Sequence, residues 1–570
     1  MFRLRFGFVV IAMVLSLFGV RLVQLQGLDP KAYAAMAARE GSVQVVLPAE
    51  RGAIVDRNGV ELATSVDGMM LVADPQMTHD DAAAIATYLA DALGLDYFTT
   101  LARLRTEDTR FVYIARRVPS TIANRVLGEL VDRGYKGLSV ERDPMRDYPA
   151  RDVAANLIGF LGEDEPLAGL ERTFDTQLSG KDGKATYEVG GGNRIPLGDN
   201  TTVDPQNGAD LQLTIDRDVQ WYVQRVLRST VRGASGDSGV AVVMDTRTGE
   251  LLALADYPSF DARQPLQSPK ADLGSRALSD VYEPGSVEKV LTAASLIDAG
   301  KVTPLTHIEV PPELPVQDRV IHDHWDHDLL RYTLAGVISR SSNIGTVRAA
   351  SRFTPEQLHD YLVKFGLGQK TDIGVRGETA GLLPDASLWS EVNQATIAFG
   401  QGLSVNAVQM AAAINTIANG GVRISPSLIH GTATADDGTV VGTDTTTRRR
   451  VISARAAKQT MLMMELVTDV DDGVAPGAAI PGYRVAGKTG TAQRAGKNGG
   501  YDDTFTVSFA GFAPADQPRF TIYVVVQNPR NGGGGGSIAG PAFSKIMSYL
   551  LRRYAVPPTG TKPSTYPVEY

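Results

Sequence analysis

Three short motifs constrain this chain more tightly than anything else in it. Ser286 and Lys289 stand one helical turn apart in Glu283-Pro284-Gly285-Ser286-Val287-Glu288-Lys289; Ser341-Ser342-Asn343 follows, and Lys488-Thr489-Gly490-Thr491 comes last. Any one of them alone is weak, because a chain of this size holds roughly one Ser-x-x-Lys by chance, and serines and threonines cap helices and fill turns everywhere. In this order they read as an acyl-transfer site.

The chemistry accounts for the residue types. A serine hydroxyl is a poor nucleophile at neutral pH, so Lys289, at i+3 on the same helix face, can take the proton of Ser286 if the lysine is neutral. Its pKa must therefore be depressed. A buried position and a second cation would both do that, and Lys488 is the candidate cation. Pro284-Gly285 reads as a turn opening a helix, which continues apolar at helical spacing through Val290, Leu291, Ala294, Leu296 and Ile297. Ser286 then sits at the helix N-terminus, where free N–H groups favour negative charge. Ser341 can relay a proton to a leaving amine, and Asn343 can hold Lys289 and a substrate amide. Lys488-Thr489-Gly490-Thr491 reads as an edge strand. Its lysine and hydroxyls suit a substrate carboxylate, Gly490 lets a peptide backbone approach, and the N–H groups of Ser286 and Thr491 form an oxyanion hole.

With these residues in place, the chain resembles the class B penicillin-binding proteins, the monofunctional peptidoglycan transpeptidases. The resemblance runs nearly end to end. Arg51-Gly52-Ala53-Ile54-Val55-Asp56-Arg57-Asn58-Gly59 is similar to the family's Arg-Gly-x-Ile-x-Asp-Arg-x-Gly box, and Arg146-x-Tyr148-Pro149, Ile158-Gly159-Phe160-x-Gly162, Gly169-Leu170-Glu171 and Phe399-Gly400-Gln401-Gly402 resemble further family elements. The start, with Arg21-Leu22-Val23-Gln24-Leu25-Gln26 after an apolar segment, looks most like the division-specific FtsI type. The resemblance implies an α+β fold: a penicillin-binding transpeptidase domain, with an antiparallel sheet flanked by helices, on an elongated α+β pedestal carried by one N-terminal transmembrane helix. It also implies crosslinking of peptidoglycan stem peptides through a serine acyl-enzyme in septal wall synthesis, with β-lactam antibiotics entering the same site. An FtsW-type glycan polymerase and other divisome membrane proteins are the implied partners. No nucleotide, metal or organic cofactor is implied.

Two other classes compete. A non-catalytic β-lactam-binding scaffold or sensor is argued against by intact Ser286, Lys289, Asn343 and Lys488. A D,D-carboxypeptidase or β-lactamase would use the same residues but rarely carries an anchor plus a long pedestal, and no separate deacylating glutamate stands out. Nor does a glutamate box of the glycosyltransferase kind.

Composition sets the remaining bounds. The 570 residues, 43% hydrophobic and 21% charged, suffice for two or three globular modules. A net charge of -8 without a basic stripe argues against nucleic acid, and the lack of cysteine excludes disulfides and thiolate chemistry. Residues 6–20 form an apolar run which, with Leu22, Val23 and Leu25, reaches about 20 residues, the length of a bilayer span. Arg3 and Arg5 precede it, so residues 1–5 read as a cytoplasmic tail, residues 6–25 (Phe6 and Leu25 at its ends) as the anchor, and the rest as extracytoplasmic. Arg21 can snorkel to the interface. A cleaved signal peptide is the rival, but its small-residue site, Ala32-x-Ala34, comes late, behind Arg21, Gln24, Gln26, Asp29 and Lys31.

The layout expected beyond the anchor is a non-catalytic, dimerisation-type pedestal at 26–204, a transpeptidase domain at 205–556 and a disordered Pro/Thr-rich tail at 557–570. The pedestal mixes strand-like runs (42–47, 68–73, 111–115) with helical ones (81–93, 122–133). In the second domain 240–244 with 251–255, and 506–512 with 519–527, read as hairpins. His322-Asp323-His324-Trp325-Asp326-His327-Asp328 has the residue types of a metal tract, but similar loops lead into the second motif of the family and adjacent ligands rarely close a tetrahedron, so no metal is expected. The glycine run 532–536 reads as a flexible loop before a helix at 541–554.

Overall fold

Two valine-rich hairpins build the sheet that carries the site. The computed structural model describes residues 2–24, 42–162, 165–190, 193–194, 200–471, 473–496 and 500–570. Its main strands are β1 (Ser238–Asp245), β2 (Leu251–Tyr257), β3 (Ala486–Ala495), β4 (Tyr501–Ala513) and β5 (Phe520–Gln527). They form one antiparallel sheet in the order β2-β1-β5-β4-β3, so β3, which carries Lys488, is an edge. The central strands are apolar on both sides because helices cover both faces. The helices that matter are α1 (Arg217–Gly233), α2 (Lys289–Asp298), α3 (Leu334–Arg340), α4 (Asn343–Ala350), α5 (Ala407–Ala418), α6 (Ala454–Glu465) and α7 (Gly535–Arg553). α1 and α7 pack together against the sheet, α5 packs against β1 and β5, and α2 lies between α5 and α6.

The chain folds as two compact units, and their boundaries differ from a single pedestal at 26–204. One unit comprises Met1–Arg51, Ser65–Met145 and Ser179–Gly208; the other comprises Gly52–Thr64, Arg146–Leu178 and Ala209–Tyr570. The reason is long-range pairing. Ile54 and Val55 run parallel to Leu211 and Gln212, and Leu170, Phe174 and Leu178 are fully buried in the larger unit's core. Arg146 holds the segments together: its Nε lies 2.7 Å from Glu171, its Nη1 donates to Gly52 O at 2.8 Å, and Tyr148 donates to the same carboxylate at 3.3 Å. Both charged side chains are at most 5% exposed. Removing one partner strands a buried charge, so Arg146→Met is expected to cost about 3–5 kcal/mol, read as a lowered urea midpoint of the larger unit.

In the smaller unit Gly68–Ala73 lies between Val112–Pro119 and Leu138–Arg142 in an antiparallel sheet, and helices Ala82–Leu93 and Ser120–Asp132 bury Ile85, Leu89, Val126 and Leu130 with it. Ser42–Leu47 and Thr201–Val203 both pair with Gly183–Gly190. Helix Phe2–Val23 contains the stretch Arg5–Val23, with a mean hydropathy of 2.4, long and apolar enough to cross a bilayer. Leu25, the far end of the expected anchor, and the Ala32-x-Ala34 site lie outside the described residues.

Two expectations for the C-terminal region are corrected. α7 starts at Gly535, six residues before Pro541, because Gly535 has no Cβ: one built there would sit 2.2 Å from Ser508 O and 2.6 Å from Gly490 O. The last two glycines of the run thus open the helix, the first three remain in the loop before it, and Pro541 forgoes one hydrogen bond inside it. Residues 557–570 are not a disordered tail. Arg484 donates to Thr561 (2.7 Å), Ser564 N to Glu465 (3.0 Å) and Thr333 N to Val568 O (3.0 Å), while Tyr570 stacks on His307 at 3.7 Å. Its Pro/Thr-rich composition reads as disorder only until its backbone groups find these fixed partners.

Candidate active site

The nucleophile turn is built by close backbone approach. Ser286 sits half-buried in a single turn, Gly285–Val287, that leads into α2. Gly285 has φ +56, and its N–H donates to Gly400 O at 2.9 Å; a Cβ on Gly400 would lie 2.0 Å from Gly285 O. Gly402 N donates to Glu283 at 2.9 Å. Phe399-Gly400-Gln401-Gly402 is therefore the cradle of the serine turn, a role that the sequence gives no means to assign.

The structure brings the three motifs together. Ser341 closes α3 in the left-handed region, with φ +63, and Ser342 caps α4 through Gly345 N. A serine held there carries strain of about 1–3 kcal/mol, of the kind that collects at functional sites. Lys289 Nζ donates to Ser341 O at 2.6 Å and to Asn343 Oδ1 at 2.7 Å, and lies 3.5 Å from Ser341 Oγ. Lys488 Nζ donates to the same Ser341 Oγ at 2.8 Å. Ser341 Oγ thus lies between the two lysines, and both lysines are fully buried.

Burial sets the charge of the pair. It pushes Lys289 down to about 7, against the opposing charges of Asp323 and Glu288. Lys488 is pushed well below its usual range, again chiefly by burial and then by the charge of Lys289. Of the two expected causes, desolvation is the larger at both lysines. A neutral Lys289 has two N–H bonds, matching its two close acceptors and leaving its lone pair free.

β3 separates its side chains by the period of a strand. Lys488 and Gly490 are buried on one face, while Thr489 is half-buried and Thr491 exposed on the other. The lysine's own contacts are Ser341 Oγ and, at 3.2 Å, Thr489 O and Oγ1. Gly490 also differs from expectation. A Cβ there would meet Ser508 Oγ at 2.3 Å, Pro284 O at 3.0 Å and Val287 at 3.0 Å, so its bareness lets β3 dock on the serine turn. His322 to Asp328 form no metal cluster: among the described residues no group of three or more His, Cys, Asp or Glu side chains converges in a way that could hold an ion.

Comparison with known proteins gives the family. The family model for the penicillin binding protein transpeptidase domain matches residues 239–548, and that for the penicillin-binding protein dimerisation domain matches 46–166. The chain is 37% identical to penicillin-binding protein PbpB of Mycolicibacterium smegmatis, covering 98% of this chain and 91% of that one. It is 33% identical to the peptidoglycan D,D-transpeptidase FtsI of Escherichia coli, covering 94% and 89%. The crystal structure of penicillin binding protein 3 from Mycobacterium tuberculosis complexed with ampicillin is similar with a TM-score of 0.72 at 31% identity, covering 92% of this chain and 100% of that one.

Proposed function

The chain belongs to the penicillin-binding transpeptidases, and from that premise we propose which of its residues carry the reaction. It is a serine-type peptidoglycan D,D-transpeptidase whose transpeptidase domain takes stem peptides and β-lactams. The observation that carries the assignment of residues is the convergence of the buried Lys289 Nζ and Lys488 Nζ on Ser341 Oγ, with Lys289 one helical turn from Ser286.

Ser286 Oγ attacks the carbonyl of the penultimate D-Ala of a donor stem peptide and passes its proton to the lone pair of Lys289. The N–H groups of Ser286 and Thr491 hold the oxyanion, and the hydroxyls of Thr489 and Thr491 hold the terminal carboxylate. The proton then moves from Lys289 through Ser341 Oγ to the leaving nitrogen, the C–N bond breaks, and terminal D-Ala departs. An amine of a neighbouring stem peptide attacks the ester, loses its proton along the same path, and Ser286 recovers its hydrogen. Asn343 keeps Lys289 oriented and accepts a hydrogen bond from its amine throughout.

The N-terminal apolar helix anchors the enzyme as a single span, with both globular units on the extracytoplasmic side. The smaller unit serves as the non-catalytic pedestal and docking surface. The relatives' names favour a septal role, with an FtsW-type polymerase as the partner contacted through the span and pedestal.

Because the base must be neutral, acylation is expected to rise with pH through about 7, the value to which burial lowers Lys289, and to level off above pH 8. Stopped-flow acylation by a chromogenic cephalosporin between pH 5.5 and 9 reads this directly; a rate falling with rising pH contradicts it. The activity itself is tested by incubating the full-length enzyme with a stem pentapeptide donor and a labelled D-amino acid. Label entering the peptide with release of D-Ala supports transpeptidation; release with all acyl groups passing to water makes it a carboxypeptidase.

A further inference from the structure

The junction between α3 and α4 has to hold two side chains at once, Ser341 against Lys488 and Asn343 against Lys289. Neither is fixed by its own helix. Ser341 is in the left-handed region, and Asn343 is the first residue of α4. We propose that Asp323, held in turn by His327, is the positioning residue that locks Ser341-x-Asn343 onto the two lysines.

Every polar atom of this arrangement is accounted for. Asp323 is fully buried at its side chain, and its carboxylate receives four contacts. Oδ1 accepts the N–H of Asn343 in a short hydrogen bond and that of Ile344 at 3.1 Å. Oδ2 accepts the hydroxyl of Ser342 at 2.7 Å and meets His327 Nε2 at 3.2 Å. The Ser342 oxygen, its hydrogen committed to Asp323, accepts Gly345 N at 2.8 Å. One carboxylate thus ties the first turn of α4 to the residue between Ser341 and Asn343. The preceding residue completes the clamp: Asn343 Nδ2 donates to His322 O at 2.9 Å, and a carbonyl can only accept, so Asn343 Oδ1 must turn to Lys289.

His327 is the outer half of the device. Its Nδ1 lies 2.6 Å from the carbonyl oxygen of Asp328, which only accepts, so Nδ1 carries a hydrogen. Nε2 meets the Asp323 carboxylate oxygen at 3.2 Å. The side chain is 5% exposed, and Trp325 lies against it at 5.5 Å. Asp323 touches no reacting atom by this account; it acts through Ser342 and Asn343.

Its charge also reaches the base. Lys289 faces Glu288 on its own helix, Lys488 from β3, and Asp323 and His324 from the loop; Asp323 and Glu288 hold its proton on, against burial. Neutralising Asp323 therefore loosens the clamp and moves the acid limb of acylation to lower pH. A role confined to folding would do only harm to yield.

The test measures acylation by a fluorescent penicillin, at saturation and as a function of pH, on the full-length chain in detergent. Asp323→Asn is expected to lower the plateau rate per folded molecule tenfold or more and to shift the acid limb downward. His327→Ala is expected to lower the plateau, and His327→Gln, whose amide can still donate to Asp323, to restore most of it. These histidine variants decide the matter if Asp323→Asn fails to fold. A wild-type plateau in Asp323→Asn, a lowered plateau with an unmoved acid limb, or equal rates in His327→Ala and His327→Gln would overturn the proposal.

Discussion

Lys289→Arg is expected to slow acylation of Ser286 at saturating β-lactam by about 10²–10⁴-fold, the range for loss of a general base. Arginine keeps donors for Ser341 O and Asn343 Oδ1, but it stays protonated at any workable pH and offers no lone pair. Lys289→Ala should lose as much or more, but it also empties a fully buried site and leaves both acceptors without their donor. The arginine variant still fills the site and supplies donors to both acceptors. Its acylation should also lack the rise through about pH 7 expected of the lysine. A rate within tenfold of wild type, or the same pH profile, would show that Lys289 is not the base.

Lys488→Ala is expected to lower the same rate by about 10–10²-fold, the size of one lost hydrogen bond to a charged group, with little change in drug affinity. The reason is its location. Lys488 is fully buried and donates to Ser341 Oγ at 2.8 Å, so in the proposed mechanism it polarises the relay hydroxyl. Thr491→Val should do the reverse, weakening binding while sparing the rate at saturation, because Thr491 is on the exposed face of β3. Stopped-flow acylation over a range of drug concentrations separates the two quantities. If Lys488→Ala weakens affinity and leaves the rate intact, the lysine contacts the ligand carboxylate directly and the order of the site is wrong.

These particulars show where reading the sequence stops. Motif order singled out Ser286, Lys289, Ser341, Asn343 and the Lys488 strand, and the fold brings these motifs together. The burial of Lys488 was in principle legible too: on an edge strand the period of two puts Lys488 and Gly490 on one face and Thr489 and Thr491 on the other. Asp323 was not. Within His322-Asp323-His324 its residue type points to metals, and only the fold shows that its carboxylate faces Ser342 and Asn343, about 20 positions on. Both hairpins of the sheet appeared as apolar runs bounded by turn residues, whereas the parallel pairing of Ile54 with Leu211 depends on contacts across more than a hundred residues that no local pattern encodes. The docking of Thr561 and Val568 was hidden for a related reason: composition reports how a segment behaves alone, and this one is held by the backbone of Thr333 and the side chains of Arg484 and Glu465.

The central claim is that Ser286 is the acylated nucleophile, and intact-mass spectrometry of the full-length protein after exposure to a penicillin tests it most directly, with Ser286→Ala alongside. The account predicts a stable mass gain of one opened drug molecule on the wild type, mapped by digestion to the peptide carrying Ser286, and none on the variant. A folded wild type that gains no mass, or a Ser286→Ala protein that is still modified, would contradict it.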